Sequence, residues 1–270
     1  MLTKPQLEAY EHDGYVVLPG LVAERACERM CERVWDALAT VHGIRQGEPD
    51  TWTKEMPRGL QDLCKSDGLA EIASPDFLAV VDDLIGPDTW DHPAHWGGPL
   101  PNFPSRGPWN VPFRMWHLDY PVRGRHGPRF ATKALCMLAP IAAQGGGTLL
   151  MEGSHRLCAR IAERSASGDA GSSGDVRKRL AAEHEWFASL GSAGDPEERI
   201  RRFMVDGTEI EGIHLRLVEF EGKAGDVVFF HPWLFHNSSP NTGDAPRMLV
   251  GQNLVTRKGL SIYAKGGSDT

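Results

Sequence analysis

Apolar residues recur at three- and four-residue spacing from Val22 to Val41. Ala23, Cys27, Met30, Val34 and Leu38 share one face, with arginines and glutamates between them. That period predicts a long amphipathic helix whose stripe packs on a sheet. Ahead of it, Thr3 is placed to cap a short helix over 5–12, and Pro5 suits the first turn because the N–H it lacks would be unbonded there. Gly14 ends this helix and a strand follows through Leu18. Residues 43–59 read as a loop carrying Trp52. Two shorter helices are expected at about 60–72 and 75–85, closed by Gly86-Pro87-Asp88. Residues 1–88 thus form a helical flank.

Beyond residue 88 the pattern changes to short apolar runs between turns. Ala134–Leu138, Thr148–Glu152, Ile213–Phe220 and Val227–Phe230 read as strands, separated by segments such as Gly145-Gly146-Gly147 and Gly225-Asp226. Residues 165–174 are low in complexity and bury nothing. A helix capped by Asp175 is expected to about Leu190, and another from Pro196 to about Phe203. Lying between two strands, residues 165–205 are expected to form a lid. No repeat and no second core interrupts the chain, so one domain over 1–270 is expected.

Composition narrows the choice. With 29 basic and 36 acidic residues the net charge is −7, which does not suggest a nucleic-acid surface. The five cysteines show no paired spacing and predict no disulfide framework. No signal peptide is visible, and the longest apolar run, 134–143, is too short for a bilayer and contains Pro140. A cytoplasmic protein without a membrane partner is the expectation; the oligomeric state is open.

The candidate chemistry begins at His117-Leu118-Asp119. On an extended strand these two side chains point to one face. Imidazole and carboxylate are the ligands that hold Fe(II) when a second histidine completes a triangle and leaves other positions open. Two histidines, His231 and His236, compete to complete it; five residues apart, they face opposite sides of a strand. Arg247 opens another apolar run. If that run pairs with Val227–Phe230, Arg247 lies near His236 and can grip a carboxylate through two parallel hydrogen bonds.

His-x-Asp at 117–119, Gly153-Ser154-His155, the Gly-Asp-apolar run at 225–230, His-x-Ser-x-Pro-Asn at 236–241 and Arg247 occur in this order. Asp13-Gly14-Tyr15-Val16-Val17-Leu18 precedes them. The set resembles the phytanoyl-CoA dioxygenase family of Fe(II)/2-oxoglutarate oxygenases, from about residue 3 to about residue 255. The resemblance implies a mainly β fold, a double-stranded β-helix (jelly-roll, cupin-like) with N-terminal and inserted helices. It implies His117, Asp119 and His236 as iron ligands, Arg247 as the anchor of the distal 2-oxoglutarate carboxylate and Ser238 beside it. O2 is the third reactant, and a C–H bond of a small molecule is oxidised, with hydroxylation the default outcome and secondary metabolism among the settings. His155 and His231 then fall to structure. Glu152 departs from the family, which usually has proline there.

Two other classes use similar parts. A cupin-type hydrolase or isomerase holds a metal with two histidines and a carboxylate, and a barrel can bind a small molecule without turnover. Two segments leave both structural and functional readings open. Trp90, Trp96, Trp109 and Trp116 either wall a cleft or cover the end of the barrel. Arg123, Arg125, His126 and Arg129 either form a solvated loop or draw an anionic substrate to the barrel mouth. Arg114, three residues before His117, falls on the opposite face.

Overall fold

Thr3 opens helix α1 (Lys4–Asp13): its side chain accepts from the Gln6 N–H while Gln6 reaches back to the Thr3 N–H, and Gly14, at φ 91°, ends the helix. The computed structural model describes residues 1–123, 129–165 and 168–265, with side chains through Ser261. Strand β1 (Tyr15–Leu18) leads into α2 (Glu24–His42), where Cys27, Met30, Val34 and Leu38 are buried as the stripe predicts. Ala23 stands at the N-cap instead, and Ala26 is buried in its turn. The helix expected over 60–72 is only α3 (Gln61–Cys64), followed by a 3-10 turn at Asp67–Ile72. The Ser66 hydroxyl accepts from the Gly68 N–H, a local bond that competes with a continuing helix. Ser74 caps α4 (Pro75–Ile85).

The rest of the chain alternates strands with inserted helices. In order these are β2 (Gly98–Asn102), β3 (Val122–Arg123), β4 (Ala131–Met137), β5 (Thr148–Met151), α5 (Ser154–Arg164), β6 (Asp169–Gly171), α6 (Ser173–Glu183), α7 (Glu185–Leu190) and α8 (Pro196–Ile200). There follow β7 (Thr208–Ile210), β8 (Ile213–Leu215), β9 (Leu217–Phe220), β10 (Val227–Phe230), β11 (His236–Ser238), β12 (Arg247–Val255) and α9 (Arg257–Lys265). A larger sheet runs β1-β10-β4-β12-β2 and a smaller one β11-β5-β9, all neighbours antiparallel.

Pairing departs from expectation at one point that matters. The runs at 227–230 and 247–250 do not pair with each other. Both flank β4, where Leu135 faces Val228 on one side and Gly251 on the other. The connection between them leaves the larger sheet to supply β11 to the smaller one, so it is not a hairpin. Strand β2 was not legible because Pro99 and Pro101 argue against a strand; it occupies the sheet edge, where a missing N–H leaves no neighbour unpaired. The helix expected from Asp175 to Leu190 starts at the Ser172 cap and breaks at His184, whose backbone is extended (φ −137°, ψ 118°).

Alternation along the strands sorts the core. Leu135, Val228 and Leu249 of the larger sheet meet Leu150 and Phe220 of the smaller one between the sheets. Helices α2 and α4 cover the outside of the larger sheet through residues such as Met30, Leu38 and Phe77. Leu149 and Met151 flank Leu150 and point the other way, where Val176, Leu180 and Phe187 of the insert pack on them. The described part of 168–205 therefore braces the outer face of the smaller sheet. Trp90 and Trp96 belong to the first helical layer and Trp109 and Trp116 to the second. No described helix is long and apolar enough to cross a membrane.

Candidate metal centre

His117 and His236 are joined by a two-way backbone bridge: the His117 N–H donates to His236 O at 3.2 Å and the His236 N–H to His117 O at 3.1 Å. This bridge adds the segment around His117 to the edge of the smaller sheet. The Asp119 N–H donates to Pro232 O at 3.1 Å, off the register of that bridge, and ties the segment down a second time. His117 and Asp119 thus sit two apart on extended backbone, facing His236, and the ligand atoms of all three lie within 4.8 Å of one another. Ser154 steadies the approach to His236. Its hydroxyl donates to Met151 O at 2.8 Å and accepts the Phe235 N–H at 2.9 Å.

Backbone carbonyls set both tautomers. His117 Nδ1 lies 2.9 Å from Met115 O and His236 Nδ1 lies 3.0 Å from Leu234 O. Each Nδ1–H donates to its carbonyl, which leaves the Nε2 lone pair for the cluster. Met115 presents its carbonyl from a left-handed conformation, φ 66°, uncommon for a residue with a side chain. Burial pushes the His236 pKa down to about 3, so the ring is neutral at neutral pH, as a ligand must be. Burial works against the charge of Asp119, but the neighbouring imidazoles and Lys133 outweigh it and hold its pKa below the usual carboxylate value. His236 Nε2 and Asp119 Oδ2 are buried and have no hydrogen-bond partner. Two orphaned acceptors beside the second imidazole, His117, are costly alone and suit a divalent cation.

The cluster opens on a cavity of about 470 Å³. Its wall includes Lys133, Leu135, Thr148, Ser238 and Arg247, together with residues 56–61 and Cys64. Arg247 is buried. One terminal nitrogen donates to Gly146 O at 2.7 Å and Ser238 Oγ at 3.2 Å, and the other to Leu100 O at 3.1 Å. Its Nε has no partner. Gly146 has φ 82°, and a Cβ there would fall 2.7 Å from Asn102 Nδ2. Burial pushes the Arg247 pKa down to about 10, so it remains a cation at neutral pH. A buried guanidinium with a spare donor fits a carboxylate guest. Arg247 reaches Ser238 across the gap between the sheets, not across a hairpin.

The other candidates lie elsewhere. His155 Nε2–H donates to Glu11 O at 3.1 Å and the ring packs on His231, whose Nδ1 accepts the Trp233 N–H at 3.0 Å. Neither joins the metal cluster. None of the four tryptophans of 89–116 lines the cavity. Arg123 pairs with Asp169 at 3.5 Å and Arg129 with Glu11 at 2.7 Å, and neither lines it either. Arg125 and His126 lie outside the described residues. Arg114 stacks over Phe113 and does not line this cavity; the bend at 113–114 and the left-handed Met115 break the strand alternation expected there. Glu152, in the position usually held by proline, accepts from Tyr15 Oη at 2.8 Å and Arg216 Nε at 3.1 Å.

His155 carries a prediction of its own. Burial pushes its pKa down to about 4 from an ordinary 6.5. Above pH 6.5 the ring is neutral whether folded or not. As pH falls from 6.5 towards 4 the unfolded chain takes up a proton that the folded ring refuses, so stability falls, by roughly 3 kcal/mol from this group. His155→Asn should show a shallower decline in Tm from pH 7 to pH 4.5 than wild type. Parallel curves would assign the acid sensitivity to other groups.

Sequence reasoning missed Lys133, Thr148 and the wall at 56–61 and Cys64. Lys133 did leave a signal: it is the one charged residue in the run Ala131–Leu138. Its ammonium lies 2.8 Å from Asp119 Oδ1.

Two imidazoles and a carboxylate around one point, with a buried guanidinium in the same cavity, fit the class of non-haem iron oxygenases with an oxo-acid co-substrate. The chain belongs to the phytanoyl-CoA dioxygenase family, whose profile matches residues 10–249. It is an Fe(II)- and 2-oxoglutarate-dependent dioxygenase, and neither the hydrolase or isomerase nor the non-catalytic barrel is favoured. A relative, L-proline trans-4-hydroxylase of Streptomyces griseoviridis, is 23% identical over 266 residues, covering 94% of this chain and 89% of its own. Among solved structures, AviO1 from Streptomyces viridochromogenes Tue57 superposes with a TM-score of 0.56 at 17% identity, covering 95% of this chain and 97% of its own. EvdO2 from Micromonospora carbonacea var. aurantiaca, complexed with 2-oxoglutarate, gives 0.52 at 14% identity, with 95% and 91% covered. At such identities these likenesses speak to the fold.

Proposed function

We propose that His117, Asp119 and His236 hold the iron, and that Arg247, with Ser238 beside it, holds the distal carboxylate of 2-oxoglutarate. The observation that carries this is the pair of orphaned buried atoms, His236 Nε2 and Asp119 Oδ2, opening on a cavity that also contains a buried guanidinium with an unused Nε. We read the two facing sheets as a double-stranded β-helix within a single domain. Bound iron, with 2-oxoglutarate and O2, supplies the oxidant for a C–H bond while the oxo acid is converted to succinate and CO2.

The chain's own residues do the rest. Met115 O and Leu234 O keep both imidazoles in the ligating tautomer. Arg247 fixes one end of the co-substrate, and the apolar wall at Leu135 excludes water from its carbon chain. The lid role expected of 165–205 passes in this proposal to residues 56–61 and Cys64, which line the cavity. Arg58 there is exposed and Gln61 stands beside it, so the prime substrate is a small polar molecule. Free amino acids are the first class to try, since a relative is named for acting on L-proline. Hydroxylation of a C–H bond is the reaction proposed.

The test is a succinate-release screen with Fe(II), 2-oxoglutarate and free amino acids. Succinate formed in step with an oxidised product supports the proposal. Product formed with Zn(II) and without 2-oxoglutarate would replace it with a hydrolase or isomerase.

A further inference from the structure

Lys133 stands on β4 two residues from Leu135, and both face the cavity. Its side chain is 16% exposed and its Nζ donates to Asp119 Oδ1 at 2.8 Å. Other inward positions of this strand carry apolar side chains, Leu135 and Met137. An ammonium held there is costly unless an anion stays beside it. Asp119 serves in the metal-free site. No aspartate or glutamate is among the described residues that line the cavity.

A charge inventory shows what changes on loading. The two positive charges of Fe(II) and the one of Arg247 are matched by Asp119 and the 2-oxoglutarate dianion. Lys133 is then left in excess, because the metal takes the charge of its partner. The β4–β12 register pairs Met137 with Leu249, two residues past Arg247. Lys133 and Arg247 therefore reach the cavity from opposite ends, with Leu135 between them. Arg247 takes the distal carboxylate; the other carboxylate, next to the keto group, falls at the metal end.

We propose that Lys133 binds the metal-side carboxylate of 2-oxoglutarate, so that the co-substrate is held by a cation at each end. This rests on the ligand and co-substrate assignments above. Lys133 then serves two anions in turn: it neutralises Asp119 before the metal arrives and the co-substrate afterwards.

The test uses the anaerobic Fe(II)-loaded protein and two oxo acids: 2-oxoglutarate, and 2-oxobutanoate, which keeps only the metal-side carboxylate. Binding is read from the visible charge-transfer band, and Fe(II) affinity is measured separately by competition with a chelator. Lys133→Met should raise the Kd of both oxo acids about tenfold or more, with Fe(II) affinity changed much less. Lys133→Arg should recover most of the loss. Arg247→Met should weaken 2-oxoglutarate and leave 2-oxobutanoate nearly untouched. Lys133→Met binding both oxo acids as wild type does, or losing only 2-oxoglutarate, would overturn the inference. So would a loss that follows entirely from weakened Fe(II) binding, because Lys133 would then only position Asp119. If Arg247→Met binds 2-oxoglutarate normally, the underlying anchor assignment fails, whatever Lys133 does.

Discussion

Asp119→Ala protein should bind Fe(II) about 100-fold more weakly than wild type, or worse. Loss of a group that merely orients a ligand costs about 10- to 100-fold in metal affinity, and here a ligand itself goes. Two neutral imidazoles remain, with no negative charge to offset the metal. The loss is compounded by Lys133, whose ammonium lies 2.8 Å from the deleted carboxylate and would face the incoming cation unscreened. Competition against a chelator gives the affinity directly. Some loss of stability is expected, because Lys133 loses its partner, while the backbone bond of residue 119 to Pro232 O does not depend on the side chain. A change of less than about tenfold, in a variant that is still folded, would mean that the metal sits elsewhere.

Arg247→Met should raise the 2-oxoglutarate Kd by about 100-fold. Two charge-assisted hydrogen bonds of roughly 1.5 kcal/mol each are lost from a buried site, and 1.4 kcal/mol is tenfold. Fe(II) affinity should change little, since Arg247 is not among the clustered ligands. Some destabilisation is expected as well, because Gly146 O and Leu100 O lose their donor. Titration of the iron-loaded variant with 2-oxoglutarate separates the two effects. Equal 2-oxoglutarate dependence in variant and wild type would move the anchor to another residue.

Much of this site was legible because its signals are local. The two-residue period put His117 and Asp119 on one face, and the structure keeps them there although the segment joins the sheet only through the bridge to His236. The helix stripe at Cys27, Met30, Val34 and Leu38 was legible for the same reason. What sequence could not supply was partnership between distant segments. The strands at 227–230 and 247–255 both pair with β4, and nothing in either run states that. The proline-bearing edge strand β2 and the cavity wall at 56–61 and Cys64 depend equally on contacts far along the chain. Helix α5 was not legible because it is short and its apolar period, Leu157, Cys158 and Ile161, starts directly behind the Gly153-Ser154-His155 turn. Lys133 is the instructive omission: a single charge in an apolar strand is a buried cation needing a partner, and that partner proved to be Asp119.

The most direct measurement is the visible spectrum of the anaerobic protein with Fe(II) and 2-oxoglutarate, in wild type and in the two histidine variants. Wild type should show a weak charge-transfer band that appears only when both are present, and His117→Ala and His236→Ala should each lose it. A full-strength band in both variants would contradict the assignment of His117, Asp119 and His236 as the metal site.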